Sequence, residues 1–233
     1  MGYNQALSAH SLRLILMTFD LTPEQQSLVD RVRAAVAVGP DLKSLQALLQ
    51  REAMPTTLVV EEVSVVDAGL GAQLGFEALA GELPGPVMAL PGLIGSEAAL
   101  AAVSEANHLR GRLVVAAVAL GVGRAAIAHA VAAMKAAGVR PGPDEKAPHW
   151  VLANGATEVE AARLLTYEAA QALDHHSGEV ATLVARAKAF AAQAAEQAVD
   201  AAIRIEGPGG YVRGGLLERL TRDARTLSVI LTP

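Results

Sequence analysis

Residues 109–137 read LRGRLVVAAVALGVGRAAIAHAVAAMKAA. This apolar, alanine-rich run predicts one long helix. Two more long helical stretches follow, over 147–175 and 178–205, and a last helix is expected over 216–230. They are separated by the glycine- and proline-containing stretch 138–143, by Ser177-Gly178, and by Gly207-Pro208-Gly209-Gly210. Long helices joined by loops this short run antiparallel, so residues 109–230 are expected to form a four-helix bundle with no room for sheet crossovers. The alanine implies close helix approach and a thin core.

Composition agrees with an all-α protein. The 233 residues are 52% apolar, 3% aromatic and 18% charged, with alanine about a fifth of the chain. That excludes disorder, which needs few apolar residues and high net charge, and disfavours a β-sandwich, whose strands want β-branched and aromatic residues. A net charge of −5 gives no general attraction to nucleic acid. The absence of cysteine excludes disulfides, thiolate metal sites and cysteine nucleophiles. The apolar run at 12–17 is too short for a secretory signal, and the run 113–123 is half a bilayer span closed by Arg124. A cytoplasmic protein with no membrane segment is expected.

Toward the N-terminus, Thr22-Pro23-Glu24-Gln25 spells a capping box with proline at the first helical position. Leu28, Val32, Ala35 and Val36 then recur at helical spacing until Gly39-Pro40. Asp41 is expected to cap a second helix that places Leu42, Leu45, Leu48 and Leu49 on one face. Residues 55–67, with Val59-Val60-Glu61-Glu62-Val63, are compatible with a strand or a buried helix, and periodicity does not decide. A helix over 73–83 precedes a connector broken by Pro84, Pro86 and Pro91, and Ser96-Glu97 opens a short helix to about residue 107. Met17-Thr18-Phe19-Asp20 resembles a second beginning. The chain thus divides into an extension (1–17), an N-terminal helical region (18–108) and the bundle (109–233).

Four constellations bear on chemistry. Gly121-Val122-Gly123-Arg124-Ala125-Ala126 fits the dinucleotide fingerprint, but no alternating strands follow, so glycines that admit a neighbouring helix are the better expectation. Glu105-Ala106-Asn107-His108 has the Glu-x-x-His spacing of helical di-metal sites without the second copy such sites need. His175-His176 is expected to be a solvated helix end. Arg110, Arg124 and Lys135 fall on one face of the long helix, as a solvated or partner-facing edge or, less readily, a phosphate-binding stripe. No Ser-His-Asp arrangement or paired-carboxylate site follows from the spacing.

Several blocks, in order, resemble the acyl-CoA dehydrogenases. They are Phe19-Asp20-Leu21-Thr22-Pro23-Glu24-Gln25-Gln26, the stretch from Glu158-Val159-Glu160 through Ala162-Arg163-Leu164-Leu165-Thr166-Tyr167, Lys188-Ala189-Phe190 with its alanine-rich continuation, and Glu218-Arg219-Leu220-Thr221-Arg222-Asp223-Ala224-Arg225. The resemblance covers 18–53 and, more specifically, 109–230. It implies a helical protein that has lost the family's β-barrel-like middle domain, a segment on the order of a hundred residues. Only the proline-rich connector and one short helix stand in its place.

The resemblance also implies where FAD and substrate contacts belong, and this sequence departs there. The family's Arg-x-x-Phe, which reaches the flavin pyrophosphate across a dimer interface, falls on Lys135 and Gly138. Its Gln-Ile-x-Gly-Gly-x-Gly-Tyr loop becomes Arg204-Ile205-Glu206-Gly207-Pro208-Gly209-Gly210-Tyr211, and Pro208 removes a backbone N–H. Cofactor contacts are therefore expected at Lys135, Arg204, Gly207, Gly210 and Tyr211, with FAD weakly held or absent. The usual catalytic glutamate position holds Leu231, and the alternative position, before Arg112-Leu113, holds Gly111. Arg112 is the expected substrate contact, and no catalytic residue is assigned. These departures point to a non-catalytic accessory or scaffold protein, a homodimer or homotetramer or a partner of a related subunit. The alternative is an FAD-dependent acyl-CoA oxidoreductase, acting on the CH–CH bond of acyl thioesters, with a rebuilt site.

Overall fold

The computed structural model describes residues 21–39, 42–49, 52–79, 105–139, 148–176 and 179–231. The extension 1–17, the cap Asp41, the connector with Pro84, Pro86 and Pro91, the helix opened by Ser96-Glu97, and the break Ser177-Gly178 lie outside them. Among the described residues the order is α1 (Pro23–Val38), α2 (Leu42–Gln46), α3 (Ala53–Ser64), α4 (Ala68–Leu79), α5 (Glu105–Ala136), α6 (Pro148–Asp174), α7 (Val180–Glu206), a 3₁₀ turn (Gly207–Tyr211) and α8 (Leu216–Val229). They contain no strand, as the composition predicts.

The helix ends follow local chemistry. At the start of α1 the Gln25 N–H donates to Thr22 Oγ1 at 3.2 Å and the Thr22 N–H to Gln25 Oε1 at 2.9 Å, the reciprocal pair of a capping box. Helix α4 begins at Ala68 rather than 73, because Asp67 Oδ1 accepts the Leu70 N–H at 3.0 Å. At the other end of α5, Gly138 adopts φ 67°, and the Val139 N–H reaches back to the Met134 carbonyl at 3.0 Å. Glycine suits that left-handed position, and the bond closes the helix.

The ambiguous stretch 55–67 resolves as helix. Every residue of α3 except Pro55 is buried, so it has no polar face and no readable period. It packs on α1, α4, α5 and α6. Helix α5 is the axis of the bundle, parallel to α7 and antiparallel to α6 and α8, with residues 113–120 all buried. By length and composition alone His108–Ala136 is apolar enough to cross a membrane, contrary to the sequence expectation. The helix continues past Arg124, whose charge is paired inside the protein, and 72% of its most apolar window is buried.

Gly121 explains the fingerprint-like glycines. A Cβ there would lie 2.4 Å from Ser64 Cβ and 2.8 Å from the Glu61 carbonyl oxygen. The position is a helix crossing, where α3 approaches α5 backbone to backbone. A second, smaller core of Leu28, Val32, Leu45, Val59, Val63 and Leu74 joins α1 and α2 to α3 and α4.

Candidate functional site

Toward one end of the bundle the start of α5, the N-terminal half of α7 through its middle, and the end of α8 line a cavity of about 230 Å³. Arg112, Lys188, Gln193, Glu196, Ser228 and Leu231 line it together with Ala185, Ala189 and Ala192. Arg112 Nε donates to the Leu231 carbonyl at 3.2 Å, so the residue that follows α8 and the start of α5 meet here, a contact the sequence alone does not predict. Lys188 is 4% exposed, and its Nζ donates to the Ser228 carbonyl at 3.1 Å. Burial, followed by the nearby Arg112 charge, lowers its ammonium below the ordinary lysine range. Glu196, the carboxylate lining the cavity, pairs with Arg225 at 3.2 Å.

The other residues singled out from the sequence lie at the opposite end. His129 Nε2 meets Glu206 Oε2 at 2.5 Å, placing the end of α7 beside residue 129. Residues 112 and 129 are separated by roughly 25 Å along α5 at 1.5 Å per residue. Arg204, Gly207, Gly210 and Tyr211 thus do not share a pocket with Arg112 in one protomer. Arg204 is exposed and pairs with Asp200 at 3.5 Å. Gly207 has φ 73° with open space around it, Gly210 packs against Ile203 and Leu217, and Tyr211 is exposed. Lys135 is exposed in the last turn of α5.

This loop does not fit a flavin pyrophosphate. Glu206 places Oε1 3.9 Å from where a Gly209 side chain would begin, a carboxylate beside the stretch where phosphate would sit. Pro208 offers no N–H, and the Val212 N–H is already donated to the Gly209 carbonyl at 3.2 Å. A phosphate-binding nest needs several free N–H groups and no adjacent anion.

Sequence reasoning missed the largest polar constellation. Glu61 and Glu62 are buried on α3. Arg124 Nη1 lies 2.6 Å from Glu61 Oε1 and 2.8 Å from Glu62 Oε1, and Arg163 Nε lies 3.1 Å from Glu61 Oε1. Tyr167 Oη donates to Glu61 Oε2 at 2.7 Å and accepts from Arg163 Nε at 2.9 Å. Arg33 forks onto Glu62 at 2.9 and 3.0 Å. Burial would raise the Glu62 carboxyl, but the bonds from Arg33 and Arg124 outweigh it and hold the group below the usual carboxylate range. Burial and the Glu61 charge push the Tyr167 phenol well above its ordinary range, so it remains a donor. The cluster joins four helices and its carboxylate oxygens are engaged, which makes it a lock rather than a reactive site. Arg124 is therefore no part of an exposed basic stripe with Arg110 and Lys135. Among the described residues no group of three His, Asp or Glu could hold a metal ion, and His175 and His176 are exposed at a helix end.

Residues 100–230 match the family model described as the acyl-CoA dehydrogenase C-terminal domain. The chain is 42% identical over 122 residues to a 3-(aryl)acrylate reductase of Clostridium sporogenes, covering 51% of this chain and 32% of that protein. It is 37% identical over 139 residues to an acyl-CoA dehydrogenase of Bacillus subtilis, covering 59% and 36%. It thus spans about a third of the length of these curated relatives. The fold is shared with a glutaryl-coenzyme A dehydrogenase (TM-score 0.69, 16% identity, 92% of this chain and 93% of that one). It is also shared with a chain from a structure of the electron transferring flavoprotein of Acidaminococcus fermentans (TM-score 0.69, 18% identity, 92% and 96%).

Proposed function

Because the chain belongs to the acyl-CoA dehydrogenase family through its C-terminal helical domain, we propose that it is a non-catalytic accessory member that associates with itself or with a related subunit. The observation that carries this is Leu231 beside Arg112. Where the family resemblance calls for a carboxylate, the cavity has an aliphatic side chain, and the alternative position, Gly111, has no side chain. Removing the α-proton of a thioester needs a base within hydrogen-bond reach. Glu196 is engaged by Arg225, and Glu206 pairs with His129 at the far end of the bundle.

The loop at 207–211 supports the same conclusion, since without a flavin no side chain of this protein accepts a hydride. Association is supported by the exposed apolar residues beside that loop, Tyr211, Val212 and Leu216, which are 65%, 61% and 38% exposed.

The test uses the full chain with excess FAD, acyl-CoA thioesters of graded chain length and an artificial electron acceptor. The expected result is no flavin absorbance after desalting and no turnover above a protein-free control. A flavin band with turnover would instead identify an FAD-dependent acyl-CoA oxidoreductase with a rebuilt site. Light scattering at micromolar concentration should give a dimer or larger; a monomeric mass would leave a related subunit as the partner.

A further inference from the structure

We propose that the cavity between Arg112 and Lys188 is a binding site for a small organic carboxylate. Two cations on different helices line one small space, and both are held in place by main-chain carbonyls, Arg112 by Leu231 and Lys188 by Ser228. The bond to Leu231 uses only Nε of Arg112. The two Nη groups make no hydrogen bond to any described residue. An arginine anchored through Nε keeps a preoriented fork, the geometry that recognises a carboxylate through two parallel N–H···O bonds.

The charges in the cavity favour an anion. Burial first, and the Arg112 charge second, lower the Lys188 ammonium, and a carboxylate bound between the two cations offsets both effects. Glu196 also lines the space, but Arg225 neutralises it. Gln193 offers a further amide donor at the wall.

The size and remaining walls set the ligand class. A volume of about 230 Å³ is below the usual range for drug-sized ligands, about 300–1,000 Å³, so the occupant is short. Ala185, Ala189 and Leu231 form an apolar wall suited to an aliphatic tail of a few carbons rather than to a fully hydrated inorganic anion. The site goes beyond the accessory role proposed above and stands or falls apart from it, because binding is read without turnover.

Isothermal titration calorimetry of the full chain with butyrate, its neutral isostere butyramide, and inorganic phosphate tests the assignment. The expected result is saturable butyrate binding with one site per chain, no binding of butyramide, and weaker binding of phosphate. Arg112→Gln should weaken butyrate by about tenfold or more, the worth of a charge-assisted hydrogen bond. Equal binding of butyramide, tighter binding of phosphate, no saturable heat with butyrate, or unchanged affinity in Arg112→Gln overturns the proposal. If Arg112→Gln does not fold, as judged by circular dichroism, Leu231→Glu is the second variant. It places a tethered carboxylate in the cavity and should abolish butyrate binding, whereas wild-type affinity in that variant sinks the assignment.

Discussion

The carboxylate of Asp174, the last residue of α6, accepts the Ala53 main-chain N–H at 2.6 Å and takes the next N–H, from Met54, on its second oxygen at 2.9 Å. Asp174 thus caps a helix 120 residues away in sequence and places negative charge at its positive end. The residue before α3, Glu52, makes no side-chain cap of its own. Asp174→Ala should therefore cost about 1–2 kcal/mol, at the upper end of cap removals. Urea unfolding followed at 222 nm measures it, with the midpoint falling and the slope unchanged.

Tyr167→Phe removes one oxygen, so Glu61 Oε2 loses its tyrosine donor and Arg163 Nε loses one of two acceptors, keeping Glu61 Oε1 at 3.1 Å. Both belong to a buried network, so the loss should be about 1–3 kcal/mol rather than the smaller figure for an exposed hydrogen bond. Comparing it with Thr157→Ala, which removes an exposed helix bond at 2.9 Å, separates the two cases by calorimetry.

Asp223 gives a pH signature. Burial, reinforced by Asp67 and Glu218 and only partly offset by Arg219 and Arg222, pushes its carboxyl from an ordinary 3.8 up to about 6. The folded protein holds this proton more tightly than the unfolded chain. The resulting stability is fully present below pH 3.8 and is lost as pH rises through 6. Asp223→Asn removes that dependence. Its melting temperature should exceed the wild-type value by about 2–4 °C at pH 7.5, and the difference should close toward pH 4.

Gly121→Ala drives a methyl group toward Ser64 Cβ and the Glu61 carbonyl, and backbone cannot swing aside. Overpacking of about 1–3 kcal/mol outweighs the gain of about 1 kcal/mol in helix propensity, so the variant should be less stable. Gly123→Ala meets chiefly Val159 Cγ2, at 2.9 Å, the end of a side chain. It should be the milder change by thermal melting, and the reverse order would mean that the α3–α5 crossing is not as close as described.

Helix ends were legible wherever the signal was local: Thr22 with Gln25 at the start of α1, or the glycines at 138 and 207 at helix termini. The missing middle domain was legible by counting, since only residues 80–104 separate α4 from α5. Helix α3 was not, because burial on every side erases the periodicity that distinguishes helix from strand. The spacing of Arg110, Arg124 and Lys135 puts them on one face of a lone helix, and only the glutamates of α3 turn Arg124 into an interior group. Lys188 belongs to the Lys188-Ala189-Phe190 block, and its place on the inward stripe with Val184, Ala191 and Ala195 is a readable sign of a buried cation. Arg112 and Leu231 lie 119 residues apart in the sequence, and only the folded bundle brings them into contact.

The lock on α3 also bears on inheritance. Glu61, Glu62, Arg33, Arg124, Arg163 and Tyr167 come from four separate stretches of sequence, yet each satisfies another's charge or hydrogen bond, all but the half-exposed Arg33 largely away from water. A change at one of these positions strands its neighbours, and a buried charge without its partner costs about 3–5 kcal/mol, a large part of a typical fold's margin. These positions cannot drift one at a time. Among descendants of a common ancestor they should be retained together or exchanged together, for instance with both members of the Glu61–Arg163 pair becoming uncharged in the same lineages.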